Sequence, residues 1–295
     1  MKIEDILSVI DFVDFKGNTN QEIENVIPFQ VTNMYESVLM WINEKNLGKL
    51  PLLKAGIVIC PSKADIDWNE NVNYILVDKP RDAFRKVMEK FFVITPKFGI
   101  SKSASIDSSS SIGVDCFIGN NVVIEENCII GDAVQIDHNT VVKQGTIIDE
   151  QVIIGANCTI GGVGFGYEKD TDGRYTFMPH LGNVVIKSGV EIGNNVCIDR
   201  AVLGSTILSR NVKVDNFVHI AHGVFVDENS LLIAHAMIGG STKIGKNVWV
   251  APSSSIINAC TVGDNALIGM GAVVIKPVEE GKVVVGNPAR PFNVN

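Results

Sequence analysis

An aliphatic residue returns every six positions over most of this chain, and that period constrains the fold more than any other feature. Ile100, Ile106, Ile112, Ile118, Ile124, Ile130, Ile136, Val142, Ile148, Ile154 and Ile160 fall in one phase, which returns at Ile186, Ile192 and Ile198. It resumes at Leu208 and holds for twelve consecutive hits through Val274. A helix repeats every 3.6 residues and a strand every 2, so neither alone gives six. A short strand plus a turn does. Three such units close a triangular coil of about 18 residues, and coils stack at the ~4.8 Å spacing of paired strands. The aliphatic residue points inward, and the residue four places on is small (Ser, Val, Cys, Thr or Ala). Gly and Asn supply corners where positive φ is needed. A sandwich of separate strands would space them irregularly, so the expected fold is mainly β, a parallel β-helix of hexapeptide repeats.

The phase breaks twice. Residues 161-185 leave it for about four repeats, and residues 201-207 make a smaller excursion. A solenoid gains nothing from such loops, so they point to function. Residues 1-98 lack the period. Ala55-Cys60 and Asn73-Val77 read as buried strands, and Lys79-Pro80 opens a helix with Phe84, Val87, Met88 and Phe91 on one face. The expected organisation is a small α/β domain at 1-98, a coil at 99-278 carrying the loop 161-185, and a short tail at 279-295, with the boundary near Pro96-Lys97.

A formal charge of -8 over 295 residues argues against a nucleic-acid binder, which needs a basic stripe. Neither a polybasic segment nor an apolar run of spanning length is present, and the N-terminus lacks signal-peptide character. A cytoplasmic location is expected. The six cysteines form no CxxC pair. Cys116, Cys128, Cys158 and Cys260 share the small inward slot, which suits packing rather than disulfides or, for Cys260, a nucleophile.

Five histidines occur: His138, His180, His219, His222 and His235. His222 follows Ile220 by two, near a corner, and Gly240 stands 18 residues further on. A histidine base beside a bare backbone amide suits acyl transfer. The base takes a proton from an attacking amine, and the amide N–H stabilises the oxyanion. Asp215 is a candidate to orient the imidazole. Each has a plainer reading: a solvated histidine, a corner glycine, an Asp in an ordinary repeat slot. A zinc lyase competes, since carbonic anhydrases use this coil with three histidines on the metal. His219, His222 and His235 do not match that spacing.

The chain resembles the UDP-3-O-acylglucosamine N-acyltransferases of lipid A biosynthesis over nearly its whole length. The resemblance rests on GFGY (Gly164-Tyr167), Pro179-Gly182, VEIGNNVCIDR (Val190-Arg200), VDNFVHIAH (Val214-His222), KAGIVIC (Lys54-Cys60) and VDKPRDAF (Val77-Phe84). It implies a left-handed coil, a homotrimer and no bound cofactor or metal. It also implies transfer of an acyl group from a thioester, carried by acyl-carrier protein or coenzyme A, to the amine of a nucleotide-linked amino sugar. His222 matches the general base, Asp215 its carboxylate partner and Gly240 the oxyanion amide. Trp41 matches an aromatic residue that stacks on the nucleotide base, with Asn43 as a polar contact; a core aromatic is the alternative for Trp41. Phe165, Tyr167, His180 and His219 are expected to line the substrate site.

Three departures stand out. IINAC puts Cys260 where the family has a second histidine, and Val163 replaces an Asp before GFGY. The C-terminal helices that dock acyl-carrier protein give way to GNPAR, as in coenzyme A-dependent acetyltransferases. Gly286, Asn287 and Arg290 are therefore the expected donor contacts. A coenzyme A-dependent N-acetyltransferase of another amino sugar, a carbonic anhydrase-like lyase and a non-catalytic nucleotide-sugar scaffold are the alternatives.

Overall fold

A computed structural model describes residues 1–64, 69–93 and 98–292. The expected Pro96-Lys97 boundary lies outside them. The chain divides into two compact units, Met1–Pro96 and Lys97–Asn295.

The first unit holds one sheet. Its strands are β1 (Asp14–Lys16), β2 (Asn25–Val26), β3 (Val38–Trp41), β4 (Gly56–Pro61) and β5 (Val72–Val77), in the order β1-β5-β4-β3-β2. All neighbours run parallel except β1, which is antiparallel to β5. β4 and β5 are buried at every residue, so both faces of the sheet must be covered. Helices α1 (Ile3–Leu7) and α2 (Pro80–Phe91) close one face, where Ile57, Ile59 and Ile75 meet Ile3, Ile6 and Val87. The 3₁₀ segment Glu44–Leu52 closes the other, where Leu50 and Leu53 meet Val58, Cys60 and Tyr74. Pro80 takes the first helical position of α2, where its missing N–H costs nothing.

The second unit is the coil. Three parallel sheets form its faces. Lys213–Val214 belongs to the first face, His219–Ile220 to the second and Phe225–Val226 to the third. Stacked strands pair residue for residue at a step of 18, as Val123 does with Val141. The aliphatic residues and the small residues four places on fill the prism, including Cys116, Cys128, Cys158 and Cys260. Buried hydroxyls in that small slot find corner carbonyls: Thr140 donates to Gly155 O at 2.7 Å and Ser230 to Gly245 O at 2.7 Å. From Asp115 onward most corners carry one residue of positive φ, and Asn121, Asn127, Asn139, Asn157, Asn195, Asn211, Asn229, Asn247 and Asn265 take that place. Asn tolerates this conformation better than other L residues, which explains its periodic use.

The coil differs from its sequence reading at two points. It does not stop near Pro277: Val283–Val285 adds another parallel strand beside Leu267–Ile268, with Val284 buried, and Arg290–Pro291 folds back on it. From Val274 to Val278 the step is four residues instead of six, and this shift of phase hid that rung. Nor is residues 161-185 all loop. The second-face strand extends through Val163, a hairpin pairs Tyr167–Lys169 with Tyr175–Phe177, and the third face resumes at Asn183–Ile186.

Candidate active site

One edge of the coil, between the second and third faces, collects every interruption of the period. The long insertion leaves after Val163 and returns at Asn183, and the short excursion leaves after Arg200 and returns at Ser205. Strand pairing skips over both, so the step widens from 18 to 38 and then to 22 residues without breaking the ladders. The next coil turns this edge at His222 and the one after it at Gly240. Topology therefore stacks His180, Asp199, His222 and Gly240 along one edge although they span 61 positions of sequence.

His222 is half-buried, and its ring stands edge-to-face to His180, with centroids 5.3 Å apart. A Cβ on Gly240 would lie 2.7 Å from His222 Nε2 and 2.8 Å from Cε1, closer than real carbon contacts. Only glycine admits the imidazole here. The neighbouring amides of Gly239 and Ser241 donate to the carbonyls of Ile256 and His222, while the Gly240 N–H makes no hydrogen bond among the described residues. Burial holds the His222 imidazole below the usual histidine range, His180 adds to this, and Asp199 opposes it.

Asp199 went unnoticed in the sequence because Asp after an inward aliphatic residue is commonplace in such repeats. Its side chain is 13 % exposed and lies 3.6 Å from His219 Nε2. Burial raises its carboxyl above the usual range, and His219, His222 and His180 pull it back down. The one available signal was its place, two residues before the excursion at 201-207. Arg200 is buried beside it. Its Nε donates to Gly161 O at 2.8 Å and its Nη2 to Gln144 O at 3.2 Å, which ties the root of the insertion to the coil.

Asp215 is not brought to His222. It follows a first-face strand and therefore turns the opposite edge, where Oδ1 accepts from Asn216 and Oδ2 from the Ala234 amide at 3.2 Å. Seven residues of separation place two groups on adjacent corners of one coil, whereas 18 or its widened equivalents place them on one edge. His235 sits on Asp215's edge too, its ring stacked on Phe217 at 5.0 Å. His219, His222 and His235 thus do not converge. Among the described residues, no group of three or more His, Cys, Asp or Glu is arranged to hold a metal ion.

The insertion carries the remaining expected contacts of the coil. His180 is 7 % exposed, stacks on Phe177 at 5.7 Å and places Nδ1 2.7 Å from Met178 O. Phe165 is 87 % exposed and meets Tyr167 edge-on at 5.0 Å. At the far end of the coil, Arg290 lines a cavity of about 580 Å³ with Lys276, Lys282 and Val284, while Gly286 turns with φ +92° just before Asn287. In the first unit, Trp41 is half-buried at the end of β3 with its ring stacked on Phe84 at 6.0 Å. Asn43 caps the 3₁₀ segment and accepts from Asn46 at 3.0 Å.

The bacterial transferase hexapeptide (six repeats) family matches residues 127–162 and 241–276. A UDP-3-O-acylglucosamine N-acyltransferase of Campylobacter lari is 34% identical over 98% of this chain and 93% of its own length. The chain belongs to the UDP-3-O-acylglucosamine N-acyltransferase family. A relative of the same name from Caulobacter sp. is 40% identical over 141 residues, which span 48% of this chain and 41% of that protein. The coil of this acyltransferase is also found in solved structures. The UDP-N-acetylglucosamine acyltransferase of Francisella novicida superposes with a TM-score of 0.61 at 22% identity, over 67% of this chain and 71% of that one. The Campylobacter jejuni enzyme of that name gives 0.58 at 18%, over 66% and 75%. At such identity the likeness is one of fold.

Proposed function

We propose that the edge bearing His222 and Gly240 transfers an acyl group from a thioester to the amine of a nucleotide-linked amino sugar, the substrate class named by the relatives. The observation that carries this reading is the pairing of the His222 imidazole with the unused amide N–H of Gly240. His222 takes a proton from the amine as nitrogen attacks the thioester carbonyl. The Gly240 N–H faces the oxygen on which negative charge develops. The sulfur leaves and takes the proton back from His222. Asp199 replaces Asp215 as the carboxylate that supports His222, because it shares the edge and borders the histidine cluster.

The acyl donor is a thioester of acyl-carrier protein or coenzyme A. Lys276, Lys282 and Arg290 around the terminal cavity suit a phosphorylated carrier, and the GNPAR segment supports coenzyme A. Trp41 and Asn43 are assigned to the nucleotide, and Phe165, Tyr167 and His219 to the sugar and its substituents. A homotrimer fits the apolar side chains left on the outside of the coil, Trp249 (46 % exposed) and Ile153 (41 % exposed) among them. Among the described residues no helix is long and apolar enough to cross a membrane, and a cytoplasmic location fits thioester donors.

The test incubates the protein with UDP- and dTDP-amino sugars against acetyl-CoA, longer acyl-CoAs and acyl-carrier protein thioesters, read by mass spectrometry. His222→Ala should lower turnover by about 10²–10⁴-fold while light scattering still reports the wild-type assembly. Retained turnover would sink the role of His222.

A further inference from the structure

Among the described residues, His180 Nε2 is the one buried side-chain nitrogen or oxygen atom without a hydrogen-bond partner. The other end of the ring places one proton. Nδ1 lies 2.7 Å from the Met178 carbonyl oxygen, and a carbonyl can only accept. Nδ1 therefore carries the proton, and in the neutral ring Nε2 is a bare lone pair. Burying an acceptor unpaired is costly, so such an atom in a native fold calls for a ligand or a catalytic role.

Its surroundings indicate which ligand. A Cβ on Gly164 would lie 2.7 Å from His180 Nε2 and 2.9 Å from His222 Cβ, and Gly240 stands in the same relation to His222 Nε2. Each imidazole thus meets a glycine at its Nε2 end, and the two rings are 5.3 Å apart. In their neutral forms the two adjacent imidazoles offer two acceptors at the same edge of the coil, enough for both N–H bonds of one amine.

We infer that His180 Nε2 accepts the second N–H of the attacking amine and so selects nitrogen over oxygen nucleophiles, an inference that rests on the reading of His222 as the acyl-transfer base. A primary amine has two N–H bonds and one lone pair. The lone pair forms the C–N bond, one proton passes to His222 and the C–S bond breaks. The proton from His222 leaves with sulfur as the thiol. The other hydrogen stays on nitrogen in the product amide, and this is the one His180 holds. A hydroxyl has one O–H and two lone pairs. With its proton on His222 and one lone pair attacking, its second lone pair faces that of His180. Sites built to hydrogen-bond a donor reject analogues that lack it for this reason. The Gly164–Gly166 segment encloses Nε2, with a Cβ on Gly166 only 3.0 Å from His180 Cε1, so the amine enters as this segment lifts.

The experiment compares the 2-amino and 2-hydroxy forms of the same UDP-3-O-acyl sugar as acceptors for the wild type, His180→Leu and His180→Gln. His180→Leu should cut the amine-to-hydroxyl ratio of kcat/KM by about 10–100-fold. His180→Gln, whose carboxamide oxygen restores an acceptor, should keep most of it. An unchanged ratio in a folded His180→Leu overturns the inference. A second measurement needs no variant: ¹⁵N-histidine NMR of the wild type should show His180 protonated at Nδ1, with Nε2 shifting when the 2-amino sugar binds and not when the 2-hydroxy sugar binds. An Nε2-protonated ring, or equal shifts with both sugars, overturns it too. A wild type that acylates no amine while the NMR contrast holds would sink the acyl-transfer reading but leave His180 as the amine's acceptor.

Discussion

As the proposed base, His222 must be neutral to take a proton, and its environment favours that form. Burial and the neighbouring His180 disfavour the imidazolium, and Asp199 favours it only in part. The sign follows directly: the active, unprotonated fraction falls as pH drops through a midpoint below the ordinary value of 6.5. The kcat/KM profile should be flat at neutral pH and fall on the acid side with that midpoint. Asp199→Asn removes the group that raises the His222 pKa, so the acid limb should move to lower pH while kcat falls. A limb that stays put or moves up would separate Asp199 from the base. Gly240→Ala puts a methyl against the His222 ring, within 2.8 Å of two ring atoms, without backbone strain, because Gly240 does not need positive φ. Turnover should drop at least tenfold with thermal stability almost unchanged, as seen by steady-state kinetics beside a melting curve.

At the scale of elements, the insertion does the most to shape the site, and Arg200 is its fastening. Guanidinium donors reach the carbonyls of Gly161 and Gln144 in a buried setting. Arg200→Met would leave both carbonyls unpaired at about 1–3 kcal/mol each. Urea unfolding should show a loss of that order, and limited proteolysis should cut the hairpin at 167-177 faster than in the wild type. The break in period at 161-185 gave away the place of this element, because a missing aliphatic phase cannot be packed into the prism. Its hairpin was hidden, since Tyr167–Lys169 and Tyr175–Phe177 are short, exposed at every residue and paired only with each other. The last rung at Val283–Val285 was hidden for a related reason: the step from Val274 to Val278 is four residues instead of six, and only the parallel neighbours reveal the shift.

For the molecule as a whole, a coil in which each turn touches only its neighbours spreads damage locally. Ile198 is fully buried, one coil below Ile220 beside the proposed site. Ile198→Ala should cost about 2–5 kcal/mol, and hydrogen exchange should rise in the coils beside it more than at residues 105-130. Uniform loss of protection would mean that the coil unfolds as one unit. The sequence alone determined the coil, because a period of six admits one way to repeat a strand and a corner. It also determined the inward slots, the corner asparagines and the pairing of His222 with Gly240, since 18 residues is one turn. What only the tertiary structure decided is which other groups share that edge. Insertions of unequal length change the sequence distance between stacked neighbours, so counting in sixes cannot carry Asp199 or His180 to His222. The same counting makes Asp215 look close while it faces another edge.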